Sequence, residues 1–277
     1  MAKKVRVLIL RTAGTNCDEE TAFAFKEFGA EVKLVHINRL IDGREGLHNY
    51  HILAIPGGFS YGDDIASGRI LANELRFHLI EDILKFIKEG RLIIGICNGF
   101  QVLVKAGILP GGVYKTSDSP TAPAQTATLI CNDSGKFEDR WIYLKVEGNS
   151  PWTKGLSDII YLPVAHAEGK FVVKSNDILK QLQDNRQIAF RYCNDPRLRV
   201  ACNRKVQYPA NPNGSVYDIA GITDTTGHVL GMMPHPERHF LSCQHPYWRR
   251  LRSYKKFGDG ARIFENGIRY VKENLRG

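Results

Sequence analysis

Leu92-Ile93-Ile94-Gly95-Ile96-Cys97-Asn98-Gly99-Phe100-Gln101 is the stretch on which the reading of this 277-residue chain turns. Its first half is a short, β-branched apolar run with the character of a buried strand, and Val102-Leu103-Val104 beyond it can continue as a helix. Cys97 therefore falls at a strand-to-helix turn. A residue at the apex of such a turn is often forced to positive φ, so its close neighbours need small side chains or none. Gly95 and Gly99 lie two residues to either side, the spacing that a nucleophile elbow requires. The first amides of the helix point toward the sulfur, where partial positive charge favours thiolate over thiol. A buried cysteine in a glycine-rich turn is the plainer account, and a base placed nearby is what separates the two.

Working outward toward the N-terminus, residues 5–10 read as an apolar strand, 12–16 as a small-residue loop and about 18–28 as a helix. Asp18, Glu19 and Glu20 suit its start and Gly29 its end. Residues 32–35 and 52–55 are the next strands. Leu71, Leu75, Leu79, Ile83 and Ile87 then mark one face of a single long helix before the strand that delivers Cys97. Strand, helix and strand at this spacing predict an α/β fold around a largely parallel sheet flanked by helices. In such sheets the loops at the carboxyl ends of strands gather on one edge. The loop Pro56-Gly57-Gly58-Phe59-Ser60-Tyr61-Gly62-Asp63-Asp64 is expected there, beside Cys97. Glycine pairs can simply make turns. Beside a nucleophile they let backbone N–H groups approach a reacting carbonyl, so Gly57 or Gly58, with Asn98, would form an oxyanion hole.

Toward the C-terminus the pattern becomes β-rich, with runs at 126–131, 141–146, 159–173 and 187–192, and a polar loop rich in Pro and Asn over 194–215. Val229-Leu230-Gly231-Met232-Met233 is a strand that delivers Pro234-His235-Pro236-Glu237-Arg238. A last helix follows, with Phe264, Ile268, Val271 and Leu275 on one face. A single domain over 1–277, with a β-rich decorated edge, is the simplest organisation.

Six scattered cysteines without a C-x-x-C pair argue for reduced thiols in a cytoplasmic protein, and against a disulfide framework or a zinc ribbon. No apolar run approaches the roughly 18 residues of a membrane span, and the start reads as a first strand, not a signal peptide. The formal charge of +9 raises the question of an acidic partner. Its densest stretch, 249–256, belongs to no recognisable nucleic-acid module, so a solvated face or a protein-docking surface is expected in place of nucleic acid. No G-x-x-x-x-G-K or G-x-G-x-x-G fingerprint marks a nucleotide site on this chain.

The base is found in the H-P-E segment. His235 and Glu237 are two apart, so on an extended segment they project to the same side, stiffened by Pro234 and Pro236. Histidine can take the sulfur proton while the carboxylate fixes its tautomer and stabilises its charge. Cys97, His235 and Glu237 are therefore the candidate triad. His166-Ala167-Glu168-Gly169 could hold a metal, but no third ligand stands in an obvious position. Cys17 lacks flanking glycines in elbow spacing and reads as a structural residue at a helix start.

These motifs together resemble the class I (triad) glutamine amidotransferases. The resemblance runs through Gly14-Thr15-Asn16-Cys17-Asp18, the Gly57-Gly58 loop, the Cys97 elbow, His166-Ala167-Glu168-Gly169, Asn211-Pro212-Asn213-Gly214-Ser215 and Met232-Met233-Pro234-His235-Pro236-Glu237-Arg238. Within that family it is similar to the branch that serves phosphoribosylformylglycinamidine synthase in purine biosynthesis. It implies a flavodoxin-like fold and a γ-glutamyl thioester on Cys97. His235, held by Glu237, would protonate the departing ammonia and then activate water, and Gln101 would help hold the glutamine. It also implies a synthetase partner that carries ATP and Mg2+, a small bridging subunit in some complexes, and neither cofactor nor metal on this chain. Set against a compact domain of that family, this chain is longer, with extra loops expected near 194–210 and 239–257. A cysteine hydrolase of peptidase or deglycase type is the main rival; those place the histidine soon after the elbow, which this sequence does not. A scaffold without activity is the other, against which an intact triad argues.

Overall fold

The computed structural model describes residues 4–111, 124–148, 150–198, 206–251 and 255–275. The first part alternates strand and helix as β1 (Arg6–Arg11), α1 (Asp18–Glu27), β2 (Glu31–His36), α2 (Ile37–Ile41), β3 (Ile52–Ile55), α3 (Arg69–Glu74), α4 (Ile80–Lys88), β4 (Leu92–Ile96) and α5 (Asn98–Lys105). The second is richer in strands: β5 (Ala127–Ile130), β6 (Glu138–Val146), β7 (Ile159–His166), β8 (Lys170–Val173), α6 (Asn176–Asp184), β9 (Ile188–Cys193), β10 (Ile219–Thr223) and β11 (Val229–Met232). The short α7 (Trp248–Leu251) and the final α8 (Ala261–Asn274) complete the chain.

Nine strands form one sheet in the order β2-β1-β3-β4-β11-β10-β9-β6-β7. From β2 to β11 every neighbour is parallel, and from β11 to β7 every neighbour is antiparallel. The β-rich edge is thus a continuation of the parallel sheet, while β5 and β8 pair separately as a ribbon. Phe171 of that ribbon stacks on Phe100 of α5 at 6.0 Å. β3, β4 and β11 are buried at every position, as strands covered on both faces must be, which explains why they are unbroken apolar runs. Among the described residues no helix is long and apolar enough to cross a membrane.

The single helix expected over 71–87 is divided by a π turn at Leu75–Leu79. Its apolar residues recur every four positions, and in an α-helix each such step drifts by about 40° around the axis. A wider turn returns the stripe to the core. Leu71, Leu75, Leu79 and Ile83 all end up buried.

The expected extra loop at 239–257 is anchored at both ends. Leu241 and Phe257 form a bridge, and the fully buried Phe240 meets Phe23, Phe28, Phe257 and Phe264 in edge-on or steeply inclined contacts. Between these anchors Tyr247, Trp248 and Leu251 are exposed beside Arg249 and Arg250. Residues 252–254 of the basic stretch, and 199–205 of the other expected loop, lie outside the described residues. Replacing Phe240 by Ala should therefore cost about 3–5 kcal/mol of folding stability, a core effect that a solvated loop would not show. Urea unfolding of the variant beside the wild type measures it.

Candidate active site

β1, β3, β4 and β11 are consecutive neighbours, and each carboxyl end delivers one part of the site to the same edge. Ile55 of β3 pairs with Gly95, and Ile96 with Met232, so the ends of β3, β4 and β11 are level. Cys97 follows at φ +50°, ψ −106°, donating its N–H to Met232 O at 2.8 Å. Its carbonyl accepts the N–H groups of Phe100 and Gln101, which starts α5. Gly99 is required by packing: a Cβ there would lie 1.8 Å from Ile55 O. The elbow is as the spacing predicts.

The H-P-E segment meets the elbow by a different geometry from the extended one expected. His235 is extended, but Pro236–His239 makes one 3-10 turn with Pro236 at its start, and this turn swings Glu237 back toward the imidazole. Nδ1 of His235 and Oε1 of Glu237 are 2.6 Å apart, and both side chains are almost completely buried. Burial alone would lower the His235 pKa. Burial is the largest single influence, but the Glu237 carboxylate and the thiols of Cys97 and Cys17 together outweigh it, and His235 is raised well above its ordinary value. Among the described residues Nε2 has no close hydrogen-bond partner, and the imidazole lies beside the thiols of Cys97 and Cys17. Gly57 is where they converge: a Cβ there would sit 2.9 Å from His235 Cε1, 3.1 Å from Cys17 Sγ and 3.5 Å from Cys97 Cβ.

Cys17 does precede α1, as its position at a helix start suggested, yet its thiol is part of this cluster. Burial pushes it up to about 11, so it stays protonated. It donates to Asn16 Oδ1 at 3.2 Å and accepts from Arg238 Nη2 at 3.1 Å, while its N–H donates to Gly57 O. Arg238 is held in turn by Glu20 at 3.0 Å. Among the described residues Cys17, His235 and Glu237 are the one set of three potential metal ligands close together. A protonated thiol and a histidine already paired with the carboxylate make a poor donor set.

His166 and Glu168 do not face a common point. His166 is buried between Asn132 Oδ1 at 3.1 Å and Asn213, whereas Glu168 pairs with Lys105 at 3.5 Å and accepts the Ser67 N–H. The Gln101 amide is likewise occupied, its Oε1 accepting from Asn98 and its Nε2 donating to the Glu168 carbonyl at 2.6 Å. Gly58, at φ +138°, bridges to Thr15 and so ties the glycine loop to the loop after β1. β7 closes the far side: His235 donates its N–H to Pro163 O at 2.9 Å and the Cys97 thiol lies 3.6 Å from Ala165 O. His239 Nδ1 bonds Tyr161 O at 2.7 Å on the same strand.

Several known proteins match this chain along nearly their whole length. Residues 4–271 match the model of the CobB/CobQ-like glutamine amidotransferase domain. The chain is 46% identical over 272 residues to the phosphoribosylformylglycinamidine synthase subunit PurQ of Dehalococcoides mccartyi, covering 98% of this chain and 99% of that one. The chain belongs to the PurQ family of glutamine amidotransferases. The PurQ subunit of Archaeoglobus fulgidus is 41% identical, with 98% of both chains covered. Among solved structures, a chain in the structure of PurLQS from Thermotoga maritima superposes with a TM-score of 0.70 at 29% identity, covering 97% of this chain and all of that one.

Sequence reasoning missed the thiol of Cys17, the side chain of Arg238 and the role of β7 in closing the site. A signal existed for the first: the loop carrying Cys17 follows β1, and a strand beside β3 must place its own loop on the same edge. His166 offers a measurable consequence of the wall. Burial, with the charge of His235, drives it down to about 3, against about 6.5 for an unfolded histidine. The stability it contributes is complete above pH 6.5 and is lost as pH falls toward the folded value. Between pH 7.5 and 5 the loss is about 2 kcal/mol. Urea unfolding at those two pH values should show the wild type losing about that much more than His166→Gln, which cannot take up the proton.

Proposed function

We propose that this chain is the glutamine-hydrolysing subunit of phosphoribosylformylglycinamidine synthase, with Cys97 as nucleophile. The observation that carries the reading is a cysteine held at positive φ on an elbow, beside a buried histidine whose other nitrogen is bound to a carboxylate. In the reaction the Cys97 thiol passes its proton to His235, and the sulfur attacks the side-chain carbonyl carbon of glutamine. The oxyanion forms against the N–H of Gly57 or Gly58 and that of Asn98. The C–N bond then breaks, the His235 imidazolium gives its proton to the leaving nitrogen, and ammonia departs from a γ-glutamyl thioester. Water attacks that thioester with His235 as base, releasing glutamate and restoring the thiol.

Glu237 favours the imidazolium, the form that must protonate the leaving nitrogen. Ammonia passes to a synthetase subunit, which holds ATP and Mg2+ and converts formylglycinamide ribonucleotide to its amidine; a small bridging subunit completes the assembly. The single sheet that runs from β2 to β7 supports one domain over the whole chain. A PurQ naming across relatives that match end to end, together with a neighbour from a PurLQS assembly, supports the partners.

Glutamate release with the cognate synthetase, ATP and formylglycinamide ribonucleotide tests the reading. Cys97→Ala should lower it by at least about 10³-fold. A variant as active as the wild type would remove Cys97 from the chemistry. Glu237→Gln should lower kcat by about 10²–10⁴-fold. It should also move the alkaline limb of the kcat profile to lower pH, because His235 then loses its proton earlier; an unmoved limb would show that Glu237 does not set the charge of His235.

A further inference from the structure

The loop that supplies the glycine N–H groups is strained. Tyr61 and Asp63 both take left-handed backbone conformations, at φ +54° and +55°, and Gly58 stands at φ +138°. Such conformations persist only where the surroundings over-determine them. The side chain at the centre of those surroundings is Asn98, which is 3% exposed and so nearly cut off from water.

Three hydrogen bonds converge on its amide. Oδ1 accepts the Ser60 N–H at 3.3 Å, and Nδ2 donates to Asp63 Oδ1 at 3.2 Å and to Gln101 Oε1 at 3.0 Å. The partners fix which end is which, because a backbone N–H can only donate and a carboxylate can only accept. Asp63 passes the connection on to the Gly68 N–H and the Ser67 hydroxyl. Gln101 passes it to the Glu168 carbonyl, on the wall that Lys105 holds by its ion pair with Glu168. One acceptor and two donors, on a short side chain, are what this position needs, and an amide provides them.

Asn98 thus has two separable parts. Its backbone N–H is one oxyanion donor of the proposed reaction; its side chain fastens the loop bearing the other donor to the same helix. We infer that the Asn98 side chain is a positioning residue, setting the separation of the two oxyanion donors by joining the Ser60–Asp63 turn to α5. This rests on the amidotransferase reading above. Oxyanion stabilisation is sensitive to such placement, because a displacement of about 1 Å can cost roughly 10²-fold in rate.

Two reactions of Cys97 separate this role from support of the fold. Glutamine hydrolysis passes through an oxyanion. Alkylation by iodoacetamide displaces iodide at a saturated carbon and forms none. The proteins compared are the wild type, Asn98→Ala and Asn98→Leu, the last deleting all three bonds while keeping the space filled. Hydrolysis is measured in the complete mixture with the synthetase, and alkylation at Cys97 by mass spectrometry of the same preparations. Both variants should lose about 10²–10³-fold in kcat, with KM and the alkylation rate within about threefold of the wild type. Alkylation of the buried Cys17 identifies a variant that has not folded, and the other then decides.

A kcat within threefold of the wild type would overturn the proposal. So would a loss shared equally by alkylation, or one carried entirely in KM, or the unfolding of both variants, since each makes the side chain a support of the nucleophile, of binding or of the fold. A wild-type mixture that releases no glutamate while its Cys97 alkylates normally would instead remove the amidotransferase reading itself.

Discussion

The site depends on one backbone conformation, Cys97 at φ +50°. For a residue with a side chain this costs about 1–3 kcal/mol and survives only if its surroundings leave no alternative. Here the N–H is held by Met232 of the neighbouring strand and the carbonyl by the first turn of α5, while Gly99 lets that turn rest on the end of β3. A three-strand register and one glycine therefore orient a sulfur. The consequence reaches well beyond the elbow, because the strand that holds Cys97 from one side is also the strand whose next residues carry His235 and Glu237.

Charge in this closed space is arranged in pairs. Glu237 faces His235, and Glu20 faces Arg238. A neutral thiol, that of Cys17, stands between the guanidinium and the imidazole. Direct contact between two cations there would oppose the protonated histidine, so a polarisable, uncharged spacer suits the position. The second thiol of the site thus has a physical role that does not require it to react.

The parallel half of the sheet, the elbow and the H-P-E segment were legible because each is written in short-range patterns: β-branched runs, glycines at fixed offsets, prolines around a histidine. Cys17 and Asn98 were harder for different reasons. Cys17 has a good local explanation at a helix start that hides its long-range one. Asn98 was noticed for its backbone, while its side chain acts through Ser60 and Asp63, which are far away in sequence and near only because β3 and β4 are neighbours. The π turn is intermediate, since the four-residue apolar spacing that causes it was visible but was read as an ordinary helix face. The antiparallel strands were recognised singly; that they extend the same sheet follows from pairings no local pattern contains.

The last strand of that extension, β7, lies four places from β11 in the sheet, yet its outward backbone groups meet residues that follow β11 and β4. Tyr161 O takes His239, Pro163 O takes the His235 N–H and Ala165 O faces the Cys97 thiol, while the Tyr161 N–H donates to Asp259. Pro163 has no N–H to offer. An open strand edge is a template for pairing with another chain, and proteins blunt such edges with proline or cover them. In this molecule the H-P-E segment is the cover. The contacts that seat His235 also occupy the outward groups of β7, so damage to the H-P-E turn would uncover a strand edge open to pairing with another chain.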